Sequence, residues 1–510
     1  MTVWARLYVV IFVCAGLAAC ATVPSGPGPQ VERDAIAARM MRDIEVLASD
    51  EFGGRKPGTP GGEQTVSYLI ERMQAVGLQS GTNDPGSAWR APVELLSSEP
   101  LDHEITVRTA NGSSILPTES SLAFSLSSRV LVDGVEVVFV GNGLRTVPQG
   151  ELTGRIVVLS DAGTDRSMVE TIFAANPAAV LSVVPGRVAL ERQRGRFARE
   201  RLLLASEASD RLSAFVTREA FAAALPDGEW DRLTARANDR DFEFEVLAAT
   251  IAIDVHSERR EFTSSNVIGM IPGTLPGSGA VLLMAHWDHL GECAAGTPDT
   301  ICNGAVDNAS GLALLLELAS RLKAGQPLDR DIYFLATSAE ESGLLGAKAF
   351  AKAPPIPLDS IVASFNFDSV AVARAGAAFG FIGEGRTPLD TVIKDVVRER
   401  GGELGSREYA ASFLQRHDGW ALLEKGVPSV LVSTAFSSEI VLGPYLATNY
   451  HRPGDELGII ELGGAVDDLL LHEALVKRVA NTQSYPSSYA STDTGSGTGS
   501  GSGPDTSVPQ

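Results

Sequence analysis

The sequence is short of basic residues: 42 lysines and arginines stand against 63 aspartates and glutamates among 510 residues, giving a formal net charge of -21. Binding to nucleic acid requires a basic surface that neutralises phosphate groups. The charge balance therefore argues against a nucleic acid as partner. An acidic surface commonly serves solubility alone and does not identify a ligand.

Two common hydrolase signatures are also absent. The sequence contains neither a Gly-x-Ser-x-Gly nucleophile motif nor the His-Glu-x-x-His motif of a metal-binding helix. It therefore gives no support to a serine esterase or to a metallopeptidase of the gluzincin type.

The N-terminus lacks an apolar run of membrane-spanning length. In MTVWARLYVVIFVCAGLAAC the apolar stretch ends at Leu17, which is too short to span a bilayer comfortably. The last four residues, LAAC, resemble the lipobox of bacterial lipoproteins, which implies cleavage before Cys20 and lipidation of its thiol. An ordinary signal peptide or a short anchor is the alternative. Ala21 after the cysteine implies sorting to the outer membrane of a Gram-negative bacterium, facing the periplasm.

Cysteine is scarce, with four residues in the chain. Cys14 lies in the segment expected to be removed, and Cys20 is the expected lipid attachment site. Cys293 and Cys302 remain, close together in a loop, and in an exported protein we expect them to form a disulfide that contributes about 2–3 kcal/mol. A cysteine-based metal site is the alternative, but no further cysteine is available to complete one.

Changes in composition divide the chain into successive segments. Pro/Gly-rich sequence follows Cys20, and Ser/Thr/Gly-rich sequence of low complexity begins near Pro486. Between them, apolar runs such as VEVVFVG and RIVVLSD predict a small inserted β-rich domain. The expected organisation is a signal peptide at 1–20, a linker at 21–31, a main domain at 32–95 plus 262–482, an insert at 96–261 and a disordered tail at 483–510.

The main domain begins with two predicted amphipathic helices, at about 32–48 and 61–76, and Gly77 takes the C-cap position of the second. From Asn266 onward, apolar strands such as AVLLMAH and DIYFLAT alternate with amphipathic helices. This alternation predicts an α/β fold with a mixed, mostly parallel central sheet flanked by helices.

Acidic and imidazole side chains recur directly after the predicted strands, where parallel sheets bind their ligands. Singly, each has an ordinary explanation, since an aspartate before a helix is commonly an N-cap and paired glutamates are commonly exposed to solvent. Together they form nitrogen and oxygen donors without thiolates, which suits zinc but not a closed structural zinc site. The residues are His286, Asp288, His289, Asp307, Glu340, Glu341, Asp368, His451 and Asp455.

The ordered motifs AHWDH, DNASG, EESG, NFD and YHRPGD resemble those of the M28 family of co-catalytic zinc peptidases, which includes bacterial aminopeptidases and glutamate carboxypeptidase-like enzymes. The segment LASDEFGGRKPGTPGG resembles the N-terminal region of that family, and the insert, with GRIVVLSD, resembles its protease-associated domain. The resemblance covers most of residues 32–480 and implies the zinc exopeptidase fold.

The resemblance also assigns a role to each motif residue. It implies two zinc ions per chain bridged by Asp307, a water held between them, and Glu340 as the general base. Tyr450 is a candidate donor to the developing oxyanion by resemblance to the carboxypeptidase branch, or else a core tyrosine. The resemblance completes one zinc site with His286 and Asp368, completes the other with Glu341 and His451, and has Asp288 and Asp455 support the ligands.

One motif departs from the family pattern. Before the strand that follows Gly426, many relatives read Ser-Asp-His, whereas this chain reads His417-Asp418-Gly419. Asp418 keeps the aspartate of a region that shapes the substrate pocket in relatives, and it is a candidate pocket residue. The missing histidine means that substrate specificity cannot be carried over from the family.

The sequence therefore predicts a lipid-anchored zinc exopeptidase that hydrolyses peptides. An aminopeptidase is favoured over a carboxypeptidase because that activity is common among bacterial relatives. A glutaminyl-cyclase-like transferase with one zinc is the alternative enzyme, and a non-catalytic binding protein of the family is a third reading. His103, His256 and His472 fall outside the motifs, and we expect structural roles for them.

Overall fold

The computed structural model describes residues 29–83, 86, 88–141, 150–160, 166–239 and 241–486. The expected signal peptide with Cys20, most of the expected linker and most of the expected tail lie outside these residues. Among the helices of the described ranges, none combines the length and the apolar character needed to cross a membrane.

The described residues form seventeen strands and thirteen α-helices. The strands are β1 Gln79–Ser80, β2 Arg90–Thr109, β3 Gly112–Ile115, β4 Ser121–Phe124, β5 Arg129–Phe139, β6 Ile156–Ser160, β7 Ala179–Val184, β8 Arg201–Leu204, β9 Ser213–Thr217, β10 Glu245–Ile271, β11 Ala280–His286, β12 Gly291–Glu292, β13 Ile301–Cys302, β14 Asp331–Thr337, β15 Ile361–Asn366, β16 Gly380–Ile382 and β17 Ser429–Ser433. The helices are α1 Pro29–Leu47, α2 Pro60–Val76, α3 Arg166–Ala174, α4 Arg187–Phe197, α5 Arg218–Ala224, α6 Glu229–Arg236, α7 Gly311–Ala324, α8 Leu345–Lys352, α9 Asp390–Glu399, α10 Arg407–Ala411, α11 Gly419–Leu423, α12 Glu439–Thr448 and α13 Leu462–Val479.

The sheet of the main domain has the strand order β16-β17-β15-β11-β14-β10. The four inner strands, β17, β15, β11 and β14, run parallel to one another. Strands β16 and β10 flank them and pair antiparallel with their neighbours. The predicted mixed, mostly parallel central sheet is therefore confirmed.

Strand β11 illustrates why helices cover both faces of this sheet. Val281, Leu283 and Ala285 pack into the apolar cluster that includes α1, α2, α7, α9 and α13. Leu282 and Met284 point the other way, into the cluster with α8 and α11. A parallel strand buried on both faces reads as a continuous apolar run, which is why AVLLMAH could be recognised from the sequence.

Strands β2 and β10 form a long antiparallel ribbon that runs from the main domain into the insert. Their pairing extends from Arg90 opposite Val267 to Thr109 opposite Ala249. The expected boundaries at 95/96 and 261/262 fall inside this ribbon, where Leu96 pairs with Glu261. Beyond it the insert has its own strand order, β5-β6-β7-β9-β4, and its own apolar core.

Candidate metal centre

The predicted site residues lie together at the carboxyl ends of three neighbouring parallel strands. His286 is the last residue of β11, Glu340 and Glu341 follow β14, and Asp368 follows β15. Asp307 lies in the turn Ala305–Ser310 that leads into α7. The topology explains the convergence, because parallel strands end at the same edge of a sheet.

Asp307 faces two separate groups of side chains through its two carboxylate oxygens. Its Oδ1 is 3.1 Å from His286 Nε2, and the same nitrogen is 3.7 Å from Asp368 Oδ1. Its Oδ2 is 3.4 Å from His451 Nε2, which lies 2.8 Å from Glu341 Oε2. The four predicted partners of Asp307 thus lie in two pairs, one on each side of the carboxylate.

His289, a strand-end residue to which the family resemblance assigns no role, also belongs to this centre. Its Nδ1 lies 2.6 Å from Glu341 Oε1, and with Asp307 and Glu341 it forms a group of donor atoms within 4.8 Å of one another. The side chain is fully buried. Its place in the AHWDH motif, directly after a strand end, was the available signal.

Asp288 supports the glutamate segment through its carboxylate. Its Oδ1 accepts a hydrogen bond from the main-chain N–H of Glu340 at 2.9 Å, and its Oδ2 accepts a longer one from Glu341 at 3.4 Å. The contact with His286 Nδ1 is instead made by the Asp288 carbonyl oxygen, at 3.1 Å. The expected orientation of the histidine thus involves the main chain, while the carboxylate fixes the two glutamates.

Asp455 supports the turn that carries Asp307. Its carboxylate accepts hydrogen bonds from the main-chain N–H groups of Val306 at 2.8 Å and Asp307 at 3.0 Å. The hydroxyl of Tyr445 donates to the same carboxylate at 2.9 Å. These three donors explain why a buried acid at this position is tolerated.

Glu340 has a different environment from its neighbour Glu341. Its side chain lines a cavity together with Asp307, Asp368 and Tyr450. Burial raises the pKa of Glu340 well above its ordinary value, and the nearby carboxylates, that of Asp418 foremost, add to the increase. A carboxyl group in this environment binds a proton readily, as a general base must.

The cavity beside Glu340 has apolar walls. Tyr450 stacks on the ring of His451 with a centroid separation of 3.7 Å, and its hydroxyl lies 3.4 Å from Arg416 Nη2. Burial raises the pKa of the Tyr450 phenol, so the hydroxyl keeps its proton and can donate a hydrogen bond. The apolar lining residues are Ile382, Phe413, Leu431, Phe436, Leu442 and Leu446.

Asp418, the candidate pocket residue, is fully buried behind this cavity and is not among its lining residues. Its Oδ2 accepts a hydrogen bond from the hydroxyl of Thr337, the last residue of β14. The cavity is lined at this point by His417. A side chain at Gly419 would place its Cβ 2.7 Å from the His417 ring, so the glycine makes room for this imidazole.

Cys293 and Cys302 form a disulfide between the short strands β12 and β13. Residue Asn303 follows the second cysteine, and its side chain donates to Asp50 Oδ1 at 2.7 Å and Glu456 Oε1 at 2.8 Å. The disulfide hairpin therefore lies directly before the turn that carries Asp307.

Comparison with known proteins shows a family match over part of the chain. Residues 266–467 match the family model described as Peptidase family M28. The alkaline phosphatase isozyme conversion protein of Escherichia coli K12 is 39% identical over 129 residues, covering 24% of this chain and 36% of that protein. The probable lipoprotein aminopeptidase LpqL of Mycobacterium tuberculosis is 24% identical over 387 residues, covering 76% of this chain and 68% of that protein.

The fold is shared with a solved structure as well. An aminopeptidase from Aneurinibacillus sp. strain AM-1 superposes with a TM-score of 0.55 at 19% identity, over 87% of this chain and 94% of the other. The family match spans β10 to α13 and includes every candidate metal ligand of the centre. Over residues 266–467 the chain is thus similar to peptidase family M28.

Proposed function

We propose that this protein is a two-zinc aminopeptidase. The observation that carries the proposal is the arrangement around Asp307, whose two carboxylate oxygens face separate sets of nitrogen and oxygen donors. A carboxylate that faces both sets in this way would suit a ligand common to two ions.

The donor set fits zinc. His286, Asp307 and Asp368 would hold one ion, and Asp307, Glu341 and His451 the other. The Nε2 atom of His451 is buried and faces two carboxylate oxygens, Asp307 Oδ2 at 3.4 Å and Glu341 Oε2 at 2.8 Å, an arrangement of donor atoms that suits an ion between them. Imidazole and carboxylate ligands without thiolates are typical of catalytic zinc sites.

The chain's own residues would then carry the proton transfers. Two ions bound at this centre would polarise the peptide carbonyl and activate water. Glu340, whose raised pKa favours proton uptake, would accept the water proton and deliver it to the leaving amine. Tyr450, on the same cavity, would donate a hydrogen bond to the oxyanion.

Two further features support an exported aminopeptidase. Relatives and a structural neighbour carry the name aminopeptidase, and one is called a lipoprotein aminopeptidase. The LAAC sequence at 17–20 supports a lipid anchor at Cys20, facing the periplasm from the outer membrane. Peptides with a free N-terminus are the proposed substrates, and a chain with both ligand groups present is less suited to a one-zinc glutaminyl cyclase.

The test is an assay of the protein lacking residues 1–20, purified with its metal quantified. We expect two zinc ions per chain and hydrolysis of peptides with a free N-terminus, including those with an amidated C-terminus. Acetylation of the N-terminus should abolish cleavage, and a chelator should abolish it until zinc is restored. Activity that survives complete metal removal would refute the metal mechanism. Cleavage of N-acetylated peptides from the C-terminus would refute the aminopeptidase assignment.

A further inference from the structure

Arg55 is a fully buried arginine next to the ligand segments, with 0% of its surface exposed. It ends the 3₁₀ turn Asp50–Arg55, in which Gly53, Gly54 and Arg55 adopt left-handed φ angles of 52°, 65° and 51°. A Cβ at Gly54 would lie 2.5 Å from the carbonyl oxygen of Cys302. The two glycines therefore let the chain pass against the disulfide hairpin and bury the arginine that follows.

The guanidinium of Arg55 donates its hydrogen bonds to main-chain carbonyl groups. Nε makes one such bond, and Nη1 and Nη2 make two each, so all five N–H groups are used. The acceptors are the carbonyl oxygens of Trp287 (2.9 Å), Leu47 (2.7 Å), Asn303 (2.5 Å), Gly304 (3.0 Å) and Asp307 (3.5 Å).

Four of these five carbonyl groups, all except that of Leu47, belong to the two segments that carry His286 and Asp307. Trp287 directly follows His286, while Gly304 and Asp307 belong to the turn that carries the bridging carboxylate. The side-chain atoms His286 Nε2 and Asp307 Oδ1 are 3.1 Å apart. One rigid planar group thus joins the main chain of both segments behind the ligands.

The charge of Arg55 is retained in this environment. Burial lowers its pKa to about 10, and the carboxylates of Asp455, Asp307, Asp288 and Glu341 oppose this effect. At neutral pH the group is therefore a cation. A positive charge so close to a metal centre repels the ions, so electrostatics alone does not explain its presence.

We propose that Arg55 is a positioning residue of the metal centre, whose guanidinium holds the segments of His286 and Asp307 at the separation that the ion they share would require. The inference rests on the proposed function, because it assigns the ligand segments to metal binding. Lysine cannot replace the arginine, since its three donors radiate from one nitrogen atom and cannot span carbonyl groups on separate segments.

Arg330 offers a matched control. It is also buried, with 2% of its surface exposed, and donates to the carbonyl groups of Ser278 and Tyr485 at 2.8 and 2.9 Å and to that of Val479. It precedes β14, so it lies at the end of the strand opposite the metal centre. Replacing it tests the effect of losing a buried arginine without touching the ligands.

The experiment compares R55K, R55M and R330K with the parent protein. Zinc affinity is measured by competition with a chromophoric chelator, the geometry by the visible absorption of the cobalt-substituted protein, and stability by thermal unfolding. We expect R55K to bind zinc about 10- to 100-fold more weakly than the parent, with an altered cobalt spectrum. R330K should lower the melting temperature and leave both metal readouts unchanged.

The variants separate position from charge, because R55K keeps the cation and R55M removes it. Parent-like affinity and cobalt spectrum in R55K would overturn the inference, as would tighter zinc binding by R55M, which would mean that charge repulsion dominates. If R55K does not fold, R55Q, which keeps two donors, is judged by the same criteria. A parent protein without bound zinc would refute both the proposed function and this inference. If the parent and R55K each bind two zinc ions with equal affinity, the inference alone is refuted.

Discussion

Glu340 and Glu341 are neighbours in sequence but occupy different environments. Glu341 contacts His289 and His451 through its two oxygens, at 2.6 and 2.8 Å, while Glu340 lines the cavity. From the sequence, the two acids were expected to diverge like neighbours in a strand. In the structure they lie in a turn after β14, in which the Glu340 carbonyl accepts hydrogen bonds from the main-chain N–H groups of Gly343 and Leu344. The order of the roles came from the family resemblance and stays a proposal.

Replacing each glutamate tests this division. Glu340→Gln should retain two zinc ions and lower kcat by about 10²–10⁴-fold, because the general base is lost while the ligands remain. Glu341→Ala should lose one ion, because a ligand of the second site is removed. Metal content by elemental analysis and steady-state kinetics are the measurements. Equal metal loss in both variants would contradict the assignment.

The Tyr450 hydroxyl provides a second prediction at this scale. Tyr450→Phe should lower kcat by about 10²-fold with little change in KM or zinc content, because the lost hydrogen bond matters mainly in the transition state. Tyr409→Phe is the matched control, since the Tyr409 hydroxyl is buried nearby and has no hydrogen-bond partner within the described residues. Unchanged kcat in Tyr450→Phe would assign this tyrosine to packing alone.

Some contacts and positions at the site could not be predicted from the sequence. His289 precedes a short hairpin and lies beside Glu341 only because β11 and β14 are adjacent in the sheet. The five acceptors of Arg55 are main-chain carbonyl oxygens. Every residue type has such an oxygen, so the sequence does not indicate which ones accept. Asp418 was expected in the pocket, but its burial against Thr337 depends on how α11 packs, and His417 takes its place on the cavity wall.

At the scale of helices and strands, most of the predicted elements followed from local sequence patterns. Helix α2 spans Pro60–Val76 and ends at Gly77, which has a left-handed φ of 83°, as the C-cap signature indicated. The ribbon of β2 and β10 was not predicted at its full length. Long-range pairing sustains it through polar stretches such as SSEPLD, where residue type alone suggests an interruption.

Helix α13 contains a buried histidine with a predicted effect on stability. His472 Nδ1 donates to the carbonyl of Asp468 at 2.7 Å, and its ring packs edge-on against Phe365 and Phe367. Burial lowers the pKa of His472 to about 4, from an ordinary value of 6.5. The structural role expected for this histidine from the sequence agrees with these contacts.

The sign of the pH effect follows from linkage. Below pH 6.5 the unfolded chain binds a proton at His472 that the native state does not bind until about pH 4. As the pH falls from 6.5 to about 4, this group should therefore lower the free energy of unfolding by about 1.4 kcal/mol per pH unit. His472→Asn keeps a donor and does not titrate, so urea unfolding at a series of pH values should give a flatter profile. Parallel profiles for the two proteins would contradict the prediction.

At the scale of the whole molecule, the main domain and the insert have separate apolar cores. They meet in a small cluster in which Leu204 of β8 packs with Ala339 and Leu345, on either side of the glutamate pair. Lys56 also forms an ion pair with Glu200 of the insert. The insert therefore contacts the segment that carries Glu340, and its described residues supply no candidate ligand.

Removing the insert tests the independence of the main domain. Joining Leu96 to Glu261 through a two-residue Asn-Gly turn should give a protein that unfolds cooperatively and binds two zinc ions, because all candidate ligands remain. We expect a lower kcat, since Ala339 and Leu345 lose the packing of Leu204. Leu204→Ala in the full chain is the control and should lower kcat in the same direction. Loss of zinc binding by the shortened protein would show that the insert is needed for the metal centre.

The pairing of Leu96 with Glu261 also bears on how such a protein could arise and diversify. The chain leaves the main domain and returns to it at residues that face each other across one ladder, so the ancestral connection could have been a plain hairpin. Added sequence of any length between these residues leaves the order of the inner strands unchanged. Sequence can therefore be exchanged at the tip of a hairpin while the inner strands that carry the candidate ligands keep their order.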